Sequence, residues 1–147
     1  MYTYYTKEGR FKVHRRFKIL YNKLHRENGP AIEWENGHKE WWVNGKRHRL
    51  DGSAIICNNR DKEWFINGKR HRLDGPAVIC NNGHKEWWVN GKKHRLDGPA
   101  VELKNGDKEW YINGKKLNIN EVEDWIKDNN INLKDKQHQA LFMLMFG

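Results

Sequence analysis

The sequence has few of the residues that a nucleophilic or phosphate-transfer enzyme uses. Ser53 is the only serine, Cys57 and Cys80 are the only cysteines, and no histidine is tied to either cysteine by its spacing. A glycine-rich loop of the kind that cradles phosphates is also missing. Because an activated nucleophile needs a base within hydrogen-bond reach, we predict that the protein is not an enzyme and carries no cofactor.

Long hydrophobic runs are missing as well. The amino terminus reads M-Y-T-Y-Y-T-K-E-G and has no apolar run of signal-peptide length. The strongest apolar run, from Ala140 to Phe146, is far too short to span a bilayer. These absences predict an intracellular, cytoplasmic protein, located in the host cytoplasm if the chain is viral, and they disfavour a membrane as its partner.

Charged residues make up 32% of the chain and the mean hydropathy is −1.07, a balance that by itself would favour disorder. The 8 Trp residues and the aromatic share of 12% argue against disorder, because disordered chains are poor in such side chains. We therefore expect a small folded core built on tryptophan. Lys and Arg outnumber Asp and Glu by 28 to 19, which gives a net charge of +9.

Four copies of one motif organise the chain. The fullest copy, from Lys85 to Ala100, reads K-E-W-W-V-N-G-K-K-H-R-L-D-G-P-A, and it recurs from Lys39, from Lys62 and, shortened, from Lys108. A fixed period of this kind is the signature of a repeat protein. Three positions recur every 23 residues: a tryptophan (Trp41, Trp64, Trp87, Trp110), an asparagine before glycine (Asn44, Asn67, Asn90, Asn113) and a histidine before arginine (His25, His48, His71, His94).

Each repeat is predicted to be a β-hairpin. In the first, residues 30–35 form one strand, Asn36-Gly37 makes a two-residue type I′ turn, and residues 38–43 form the return strand. That turn places Ile32 opposite Trp41 and Ala31 opposite Trp42. The predicted class is mainly β, an elongated antiparallel meander of hairpins over 30–52, 53–75, 76–98 and 99–117.

The predicted meander has two different faces. One face carries a ladder of Ile, Val and Trp side chains, which we predict to be the core. The other face carries a row of glutamates and a second row of aromatic side chains, which we predict to be an exposed binding surface. The members of this aromatic row are Trp42, Phe65, Trp88 and Tyr111, and the glutamates are Glu40, Glu63, Glu86 and Glu109.

The two cysteines occupy equivalent positions of neighbouring repeats. In a meander such positions lie two strands apart, or roughly 9.6 Å. A disulfide requires Cα atoms within about 7 Å of each other. Cys57 and Cys80 are therefore predicted to be free thiols.

The two ends of the chain depart from the repeat. Residues 1–29 are predicted to be a degenerate capping repeat that begins with an extra hairpin, because Lys7-Glu8-Gly9 is a turn signal between two strand-like segments. Residues 118–147 are predicted to form a helical cap after the four hairpin repeats of 30–117. Asn120 and Glu123 have the spacing of a capping box, and Val122, Trp125 and Ile126 make one apolar side of that helix.

A second helix is expected from Lys134 to Phe146, and its last turns are apolar nearly all round. More than one of its faces must therefore be covered. Either it closes the open edge of the sheet, which would otherwise be free to pair with other chains, or it forms a homodimer or partner interface through residues 140–146.

Between the hairpins, a long connector carries basic residues at a regular step. The arginine after each histidine (Arg49, Arg72, Arg95) is expected to pair with the aspartate two residues on, or with a glutamate of the sheet. The other basic side chains are freer to face a ligand and form a predicted basic edge, together with an N-terminal basic run. The basic edge consists of Lys46, Arg47, Lys69, Arg70, Lys92 and Lys93, and the run contains Arg15 and Arg16.

The histidines do not favour a metal site. His48, His71 and His94 are expected at a step of about 10 Å along the array. The ligands of one zinc ion bind it at about 2 Å, so these histidines are too far apart to share one. We predict that the protein holds no metal.

The motif W-x-x-N-G-K-x-H-R-x-D-G-P-A, followed by a strand and a second N-G, resembles the MORN repeat variant of the YwqK-type antitoxin family over about residues 19–117. The connector here is longer by an inserted R-L-D, and alanine replaces the aromatic residue that follows proline in that family. Arrays of the H-R-x-D-G-P-A form resemble proteins of phages and large DNA viruses. The resemblance implies an elongated sheet of antiparallel hairpins and a binding role, without identifying the partner. The matching positions are Asn44-Gly45-Lys46 with Gly52, Asn67-Gly68-Lys69 with Gly75-Pro76, and Asn90-Gly91-Lys92 with Gly98-Pro99.

Three functions fit these surfaces. The first is a non-enzymatic protein-binding module, such as a phage-encoded inhibitor or antitoxin-like protein that blocks a host protein or ribonucleoprotein, for instance a defence nuclease. Large aromatic residues flanked by arginine are typical of binding hot spots. The second is binding of RNA or DNA by the basic edge, with the aromatic row as stacking platforms, although the adjacent glutamates would repel phosphates. The third is binding of anionic lipid by lysines at a regular step.

Overall fold

The computed structural model describes residues 1–13 and 21–147. Over these residues the protein is mainly β, with a ten-stranded antiparallel sheet, four two-stranded ribbons and two α-helices. The prediction of an antiparallel meander of hairpins followed by helices is confirmed.

The chain begins with the predicted extra hairpin. Strands β1 (Tyr2–Thr6) and β2 (Gly9–Val13) pair antiparallel. β1 also pairs with β3 (Ile32–Trp34), the first strand of the first repeat, so the hairpin extends the repeat sheet. A short 3-10 helix, Tyr21–Lys23, leads into the first connector.

Each repeat contributes four short strands. The first two enter the ten-stranded sheet and the last two form a separate ribbon. The first repeat contains β3, β4 (Lys39–Glu40), β5 (Trp42–Val43) and β6 (Lys46–Arg47), and the second contains β7 (Ile55–Ile56), β8 (Lys62–Glu63), β9 (Phe65–Ile66) and β10 (Lys69–Arg70). The third contains β11 (Val78–Ile79), β12 (Lys85–Glu86), β13 (Trp88–Val89) and β14 (Lys92–Lys93), and the fourth contains β15 (Val101–Glu102), β16 (Lys108–Glu109), β17 (Tyr111–Ile112) and β18 (Lys115–Lys116).

The sheet runs from β2 and β1 through β3, β4, β7, β8, β11, β12, β15 and β16. With neighbouring strands about 4.8 Å apart, ten strands span roughly 43 Å. The ribbons are joined to one another by backbone hydrogen bonds, such as Gly68 N–H to Arg47 O at 2.8 Å and Arg49 N–H to Phe65 O at 3.1 Å. Each repeat is thus bonded to the next through both the sheet and the ribbons.

The predicted turn between β3 and β4 is wrong. Gly37 N–H donates to Trp34 O at 3.0 Å and Trp34 N–H donates to His38 O at 2.9 Å, so three residues rather than two close the hairpin. Gly37 alone supplies the positive φ, at 89°, which is the three-residue hairpin with glycine in the left-handed position. The register moves by one residue in consequence, and Ile32 pairs with Glu40 instead of Trp41.

The two-residue type I′ turn lies instead between β5 and β6. Asn44 (φ 50°) and Gly45 (φ 72°) both have positive φ, and Val43 pairs with Lys46 across the turn. The same conformation recurs at the equivalent turn of the later repeats. Asparagine is suited to this position because its short polar side chain tolerates the left-handed region.

Trp41 marks the point where the chain leaves the sheet for the ribbon. Its N–H donates to Ala54 O at 2.8 Å and its carbonyl accepts from His48 N–H at 3.1 Å. Trp64 and Trp87 make the equivalent bonds. The return strand predicted over 38–43 is therefore interrupted at the tryptophan, between β4 and β5.

Side chains from the sheet and the ribbons pack together as the core. Ile32 of the sheet and Trp42 of the ribbon belong to one buried cluster, and Ile55 and Phe65 belong to the next. The alanines that precede the first sheet strand of each repeat are fully buried at 0% exposure. These alanines are Ala31, Ala54, Ala77 and Ala100.

The predicted assignment of the two aromatic rows is corrected by this packing. Trp42 and Phe65 are each only 8% exposed, so the prediction that they form an exposed surface is wrong. Trp88 and Tyr111 are half-buried, as are Trp41 and Trp64, which were predicted to be core. The physical reason is the one-residue register shift, because such a shift moves side chains to the opposite face of a sheet.

Two helices cover the end of the array: α1 (Ile119–Asp128) and α2 (Lys136–Phe146). Asn118, not Asn120, caps α1, and its side chain accepts from the N–H groups of Asn120 and Glu121. Asp135 caps α2. The predicted apolar side of α1 is confirmed, since Val122 is buried and Trp125 and Ile126 pack on the same cluster. That cluster consists of Trp110, Ile112, Leu117, Val122, Leu133 and Phe142.

Candidate functional site

In each full connector an arginine is stacked on the tryptophan that precedes it. Arg49 Cζ lies 4.0 Å from the centroid of the Trp41 ring, while Arg49 Nε donates to Asp51 Oδ1 at 2.8 Å and Nη1 donates to Ser53 O at 3.2 Å. Arg72 and Arg95 stack on Trp64 and Trp87 at 4.1 and 3.8 Å. The predicted pairing is confirmed: Arg49, Arg72 and Arg95 bind Asp51, Asp74 and Asp97.

The glycine after each of these aspartates leaves room for the guanidinium. A Cβ atom on Gly52 would lie 2.9 Å from Arg49 Cζ, and one on Gly98 would lie 3.0 Å from Arg95 Cζ. Carbon atoms in contact prefer separations of about 3.5 to 4.0 Å. A side chain larger than glycine at this position would press on the guanidinium, so the glycine favours the stacked position of the arginine. The contacts of the stacked arginines hold the connector in shape.

The second basic residue of each connector is neutralised by a glutamate of the sheet. Arg47 Nε donates to Glu40 Oε2 at 3.1 Å, and Arg47 Cζ lies between two core rings, 5.1 Å from Trp42 and 5.6 Å from Phe65. The same ion pair recurs three times along the array. The later pairs are Arg70 with Glu63 (2.8 Å), Lys93 with Glu86 (3.5 Å) and Lys116 with Glu109 (2.6 Å).

Two of these glutamates, Glu40 and Glu86, are stabilised in their ionised form by the groups around them. Burial opposes the ionisation of Glu40, but hydrogen bonds from His38, Arg47 and Trp42 and the charge of Arg47 outweigh it and hold the pKa of the carboxyl below its ordinary value. At Glu86, burial is likewise outweighed by hydrogen bonds and by the charge of Lys93, so its pKa is also lowered. The predicted basic edge consequently loses Arg47, Arg70 and Lys93 as free cations.

The remaining members of the basic edge are Lys46, Lys69 and Lys92, which are exposed. Their stems lie on the turn of the following repeat, where the Cβ position of Gly68 is 3.6 Å from Lys46 Cβ. Within the described ranges these three lysines take part in no ion pair. Arg15 and Arg16, the other predicted basic residues, lie outside the described residues.

A second lysine row was not predicted as a site. It lies on the open face of the sheet, and neighbouring members are two strands, or roughly 9.6 Å, apart. In the strand that carries Lys39 and Glu40, the lysine is exposed and the glutamate is buried, because successive residues of a strand point to opposite faces. The alternation of lysine and glutamate in each K-E pair is the sequence signal for this row of lysines. The members of the row are Lys39, Lys62, Lys85 and Lys108, all exposed.

The connector histidines are held by the next repeat. His48 Nδ1 accepts from Asn67 N–H at 3.1 Å, and His71 Nδ1 accepts from Asn90 N–H at the same distance. His94 does the same with Asn113. One ring nitrogen of each is thus committed to a structural hydrogen bond, and the described residues contain no group of three or more His, Cys, Asp or Glu arranged to hold a metal ion.

An open groove lies between the connectors of the first and second repeats. It has a volume of about 660 Å³. Its walls include two large apolar side chains that are mostly in solvent, Leu50 at 81% and Leu73 at 79% exposure. The floor and sides are formed by Trp64, Ile66 and His71.

A second groove lies one repeat further along, between Leu73 and Leu96, with a volume of about 620 Å³. Trp87, Val89 and His94 line it at the positions equivalent to those of the first groove. The grooves were not predicted from the sequence. Their signal is the R-L-D insert of the connector, which puts an apolar residue between charged ones at a fixed step.

Apolar side chains are also exposed at the end of the chain. Leu141, Leu144 and Met145 of α2 are 47%, 84% and 59% exposed. The homodimer through residues 140–146 stays a prediction. No helix in the described ranges is long and apolar enough to cross a membrane.

Comparison with models of protein families, with curated proteins and with solved structures gave no match for this chain.

Proposed function

We propose that the protein is a non-enzymatic, MORN-like interaction module that binds another protein, and that it acts in the host cytoplasm as a phage-encoded inhibitor or antitoxin-like protein. The proposed target is a host protein or ribonucleoprotein, such as a defence nuclease. The observation that carries the proposal is the pair Leu50 and Leu73, which stand 81% and 79% exposed at the same position of successive repeats. The two leucines line one groove together, and a contiguous exposed apolar patch is typical of an interaction surface.

The contacts that the polar side chains of the connector make support the same proposal. His48 is bound to the turn of the next repeat, Arg49 is stacked on Trp41, and Arg47 is paired with Glu40. Side chains that are engaged in fixed structural contacts favour a rigid framework over acid–base or nucleophilic chemistry. What this framework offers to another molecule is a surface of apolar grooves with charged rims.

The test is an affinity capture with the tagged full-length protein from a cell lysate, run with and without nuclease treatment. The expected result is one dominant protein that is retained after nuclease treatment. Recovery of nucleic acid alone, lost at high salt, would instead favour the second candidate. Capture of neither would contradict both.

The second candidate is binding of RNA or DNA, and one observation favours it. Lys39, Lys62, Lys85 and Lys108 form an exposed row on the open face of the sheet. Two glutamates of the paired strands, Glu33 and Glu102, lie opposite members of this row. A line of lysines can track a phosphate backbone. The aromatic row adds little here, because Trp42 and Phe65 are buried.

A further inference from the structure

We propose that the two open grooves each take an amphipathic helix of a partner protein, which inserts an aromatic side chain between successive connectors and places a lysine at the rim. The inference rests on the proposed function as a protein-binding module and names the chemistry of the partner. It comes from a third groove of the same series, which the chain fills with its own helices.

The third groove follows from the 23-residue period. One repeat beyond the second groove, the equivalent lining positions are Leu96, Trp110, Ile112 and Leu117. Trp110, Ile112 and Leu117 are buried in one cluster, and Leu96 packs against it. The side chains that fill the space come from the C-terminal segment, namely Val122, Leu133 and Phe142.

Phe142 is the anchor of this internal complex. It is 0% exposed, and its ring centroid lies 5.7 Å from that of Trp110 at an interplanar angle of 70°. This edge-to-face arrangement is one that aromatic pairs prefer. The filled groove therefore accepts an aromatic side chain that a helix presents to it.

One difference separates the filled groove from the open ones. Asn118 stands where the earlier repeats carry the stacked arginine, and it caps α1 instead. In the first open groove Arg72 covers one face of Trp64. The accessible apolar surface of that groove therefore comes mainly from Leu50, Leu73 and Ile66, and less from the indole ring of Trp64.

The rim of the filled groove indicates the charge of the partner. Lys134 Nζ, just before α2, lies 3.4 Å from Asp97 Oδ2, while Asp97 Oδ1 accepts from Arg95. The equivalent carboxylates of the open grooves are Asp51 and Asp74, whose side chains are 84% and 83% exposed. Each is bound to its arginine through Oδ1. A lysine before the partner helix would complete the contact that Lys134 makes.

The second groove is continuous with the filled one. Leu96 lines the second groove and also packs against the cluster that contains Phe142. Gln139 of α2 forms part of the same wall. A helix seated there would lie beside the chain's own C-terminal helices, on a surface that already accommodates helical packing.

The experiment uses a fluorescent synthetic peptide of residues 118–147 as the probe for the full-length protein. The intact chain's own segment stays in its groove, because a tethered segment outcompetes a free one, so the added peptide has the open grooves available. We expect saturable binding. The double variant Leu50→Glu/Leu73→Glu should weaken it by at least about tenfold, since it removes apolar side chains that the helix would bury. A peptide with Phe142→Ala should lose a similar factor, and one with Lys134→Glu should bind more weakly than the unchanged peptide.

Thermal unfolding of the double variant verifies that its fold is unchanged, as expected for two exposed positions. No binding of the peptide would overturn the inference. Equal binding to the wild type and the double variant would also overturn it, because the peptide would then be exchanging with the chain's own segment in the third groove.

The double variant also separates this inference from the proposed function. When it serves as bait beside the wild type, capture of the same nuclease-resistant protein by both would overturn the grooves as the docking site and leave the proposed function standing. Capture by the wild type alone would support both. Capture by neither would contradict the proposed function, whatever the peptide shows.

Discussion

The imidazole of His48 accepts a hydrogen bond at Nδ1 from the backbone N–H of Asn67, 3.1 Å away, and so ties the connector of one repeat to the turn of the next. At the end of the array Leu117 stands where the next histidine would be. It is 8% exposed and packs under the helices. Where this position holds a histidine, another repeat follows it in the chain. Where it holds a leucine, the helices follow.

The last of these histidines makes stability depend on pH. Burial lowers the pKa of His94 from its ordinary value of 6.5, and its Nδ1 must be unprotonated to accept from Asn113. The unfolded chain therefore binds the proton more readily than the folded one. This contribution to stability is present above about pH 6.5 and is lost as the pH falls through the lowered folded pKa.

The measurement is the urea unfolding midpoint at about pH 7.5 and about pH 5.5. The wild type should lose stability between the two. His94→Gln cannot titrate, so its midpoint should change less. An equal loss in both proteins would show that His94 is not responsible.

Gly52→Ala should destabilise the protein by about 1 to 3 kcal/mol, the usual cost of overpacking, because the added Cβ would lie 2.9 Å from Arg49 Cζ. The control is a double-mutant cycle with Arg49→Ala, followed by urea unfolding. If the clash with the guanidinium is the cause, Gly52→Ala should cost little once Arg49 is removed. Additive effects would contradict this account.

Phe142→Ala should cost about 3 to 5 kcal/mol, the range for removing a fully buried Phe, since Phe142 is 0% exposed and packs on Trp110. Leu144→Ala on the same helix is the matched control. Leu144 is 84% exposed, so its substitution should change the free energy of unfolding by less than about 0.5 kcal/mol. A similar loss in both variants would mean that Leu144 is covered in solution, as in the predicted homodimer.

If the protein binds nucleic acid, replacing the four lysines of the open sheet face by Gln should weaken that binding. The dependence of log affinity on log salt should become shallower by about 0.7 for each lost contact to single-stranded phosphate. The same four positions changed to Arg keep the charge and should retain most of the affinity. Unchanged binding by the Gln variant would rule out this row, which consists of Lys39, Lys62, Lys85 and Lys108.

The 23-residue period predicted the architecture well. The residues that recur, such as the asparagine and glycine of the turns, each favour a particular backbone conformation. The N-terminal hairpin, the meander, the free cysteines and the helical end were all visible in turn signals, spacing and apolar patterning. The Arg49 to Asp51 pair was also predictable, since the two residues are close in sequence.

The position of the type I′ turn was predicted wrongly, because the sequence contains two equivalent signals for that turn. Asn36-Gly37 and Asn44-Gly45 are both N-G pairs, and only the second forms a type I′ turn. The strand geometry around each pair decides which turn forms, and that depends on pairing with neighbouring repeats. The resulting one-residue shift put Trp42 in the core. Asn118 and Asn120 presented the same difficulty, because each has a glutamate three residues on.

The grooves could not be seen in the sequence because they exist only between repeats. Leu50 and Leu73 are far apart along the chain and line one groove through the stacking of two connectors. The recurring leucine of the R-L-D insert is a signal of periodicity, but it does not show that two connectors stack to form a groove.

The bonds described between repeats, such as Gly68 N–H to Arg47 O and Asn67 N–H to His48 Nδ1, join each unit to the one beside it. A tandem duplication of one 23-residue unit would therefore bring its own partners for all of them, and would leave the first and last units with the neighbours they have now. Such a gene can grow or shrink by whole units under selection. Each addition would give the protein one more groove of the same kind, so the number of grooves could change while the residues that line each groove stay the same.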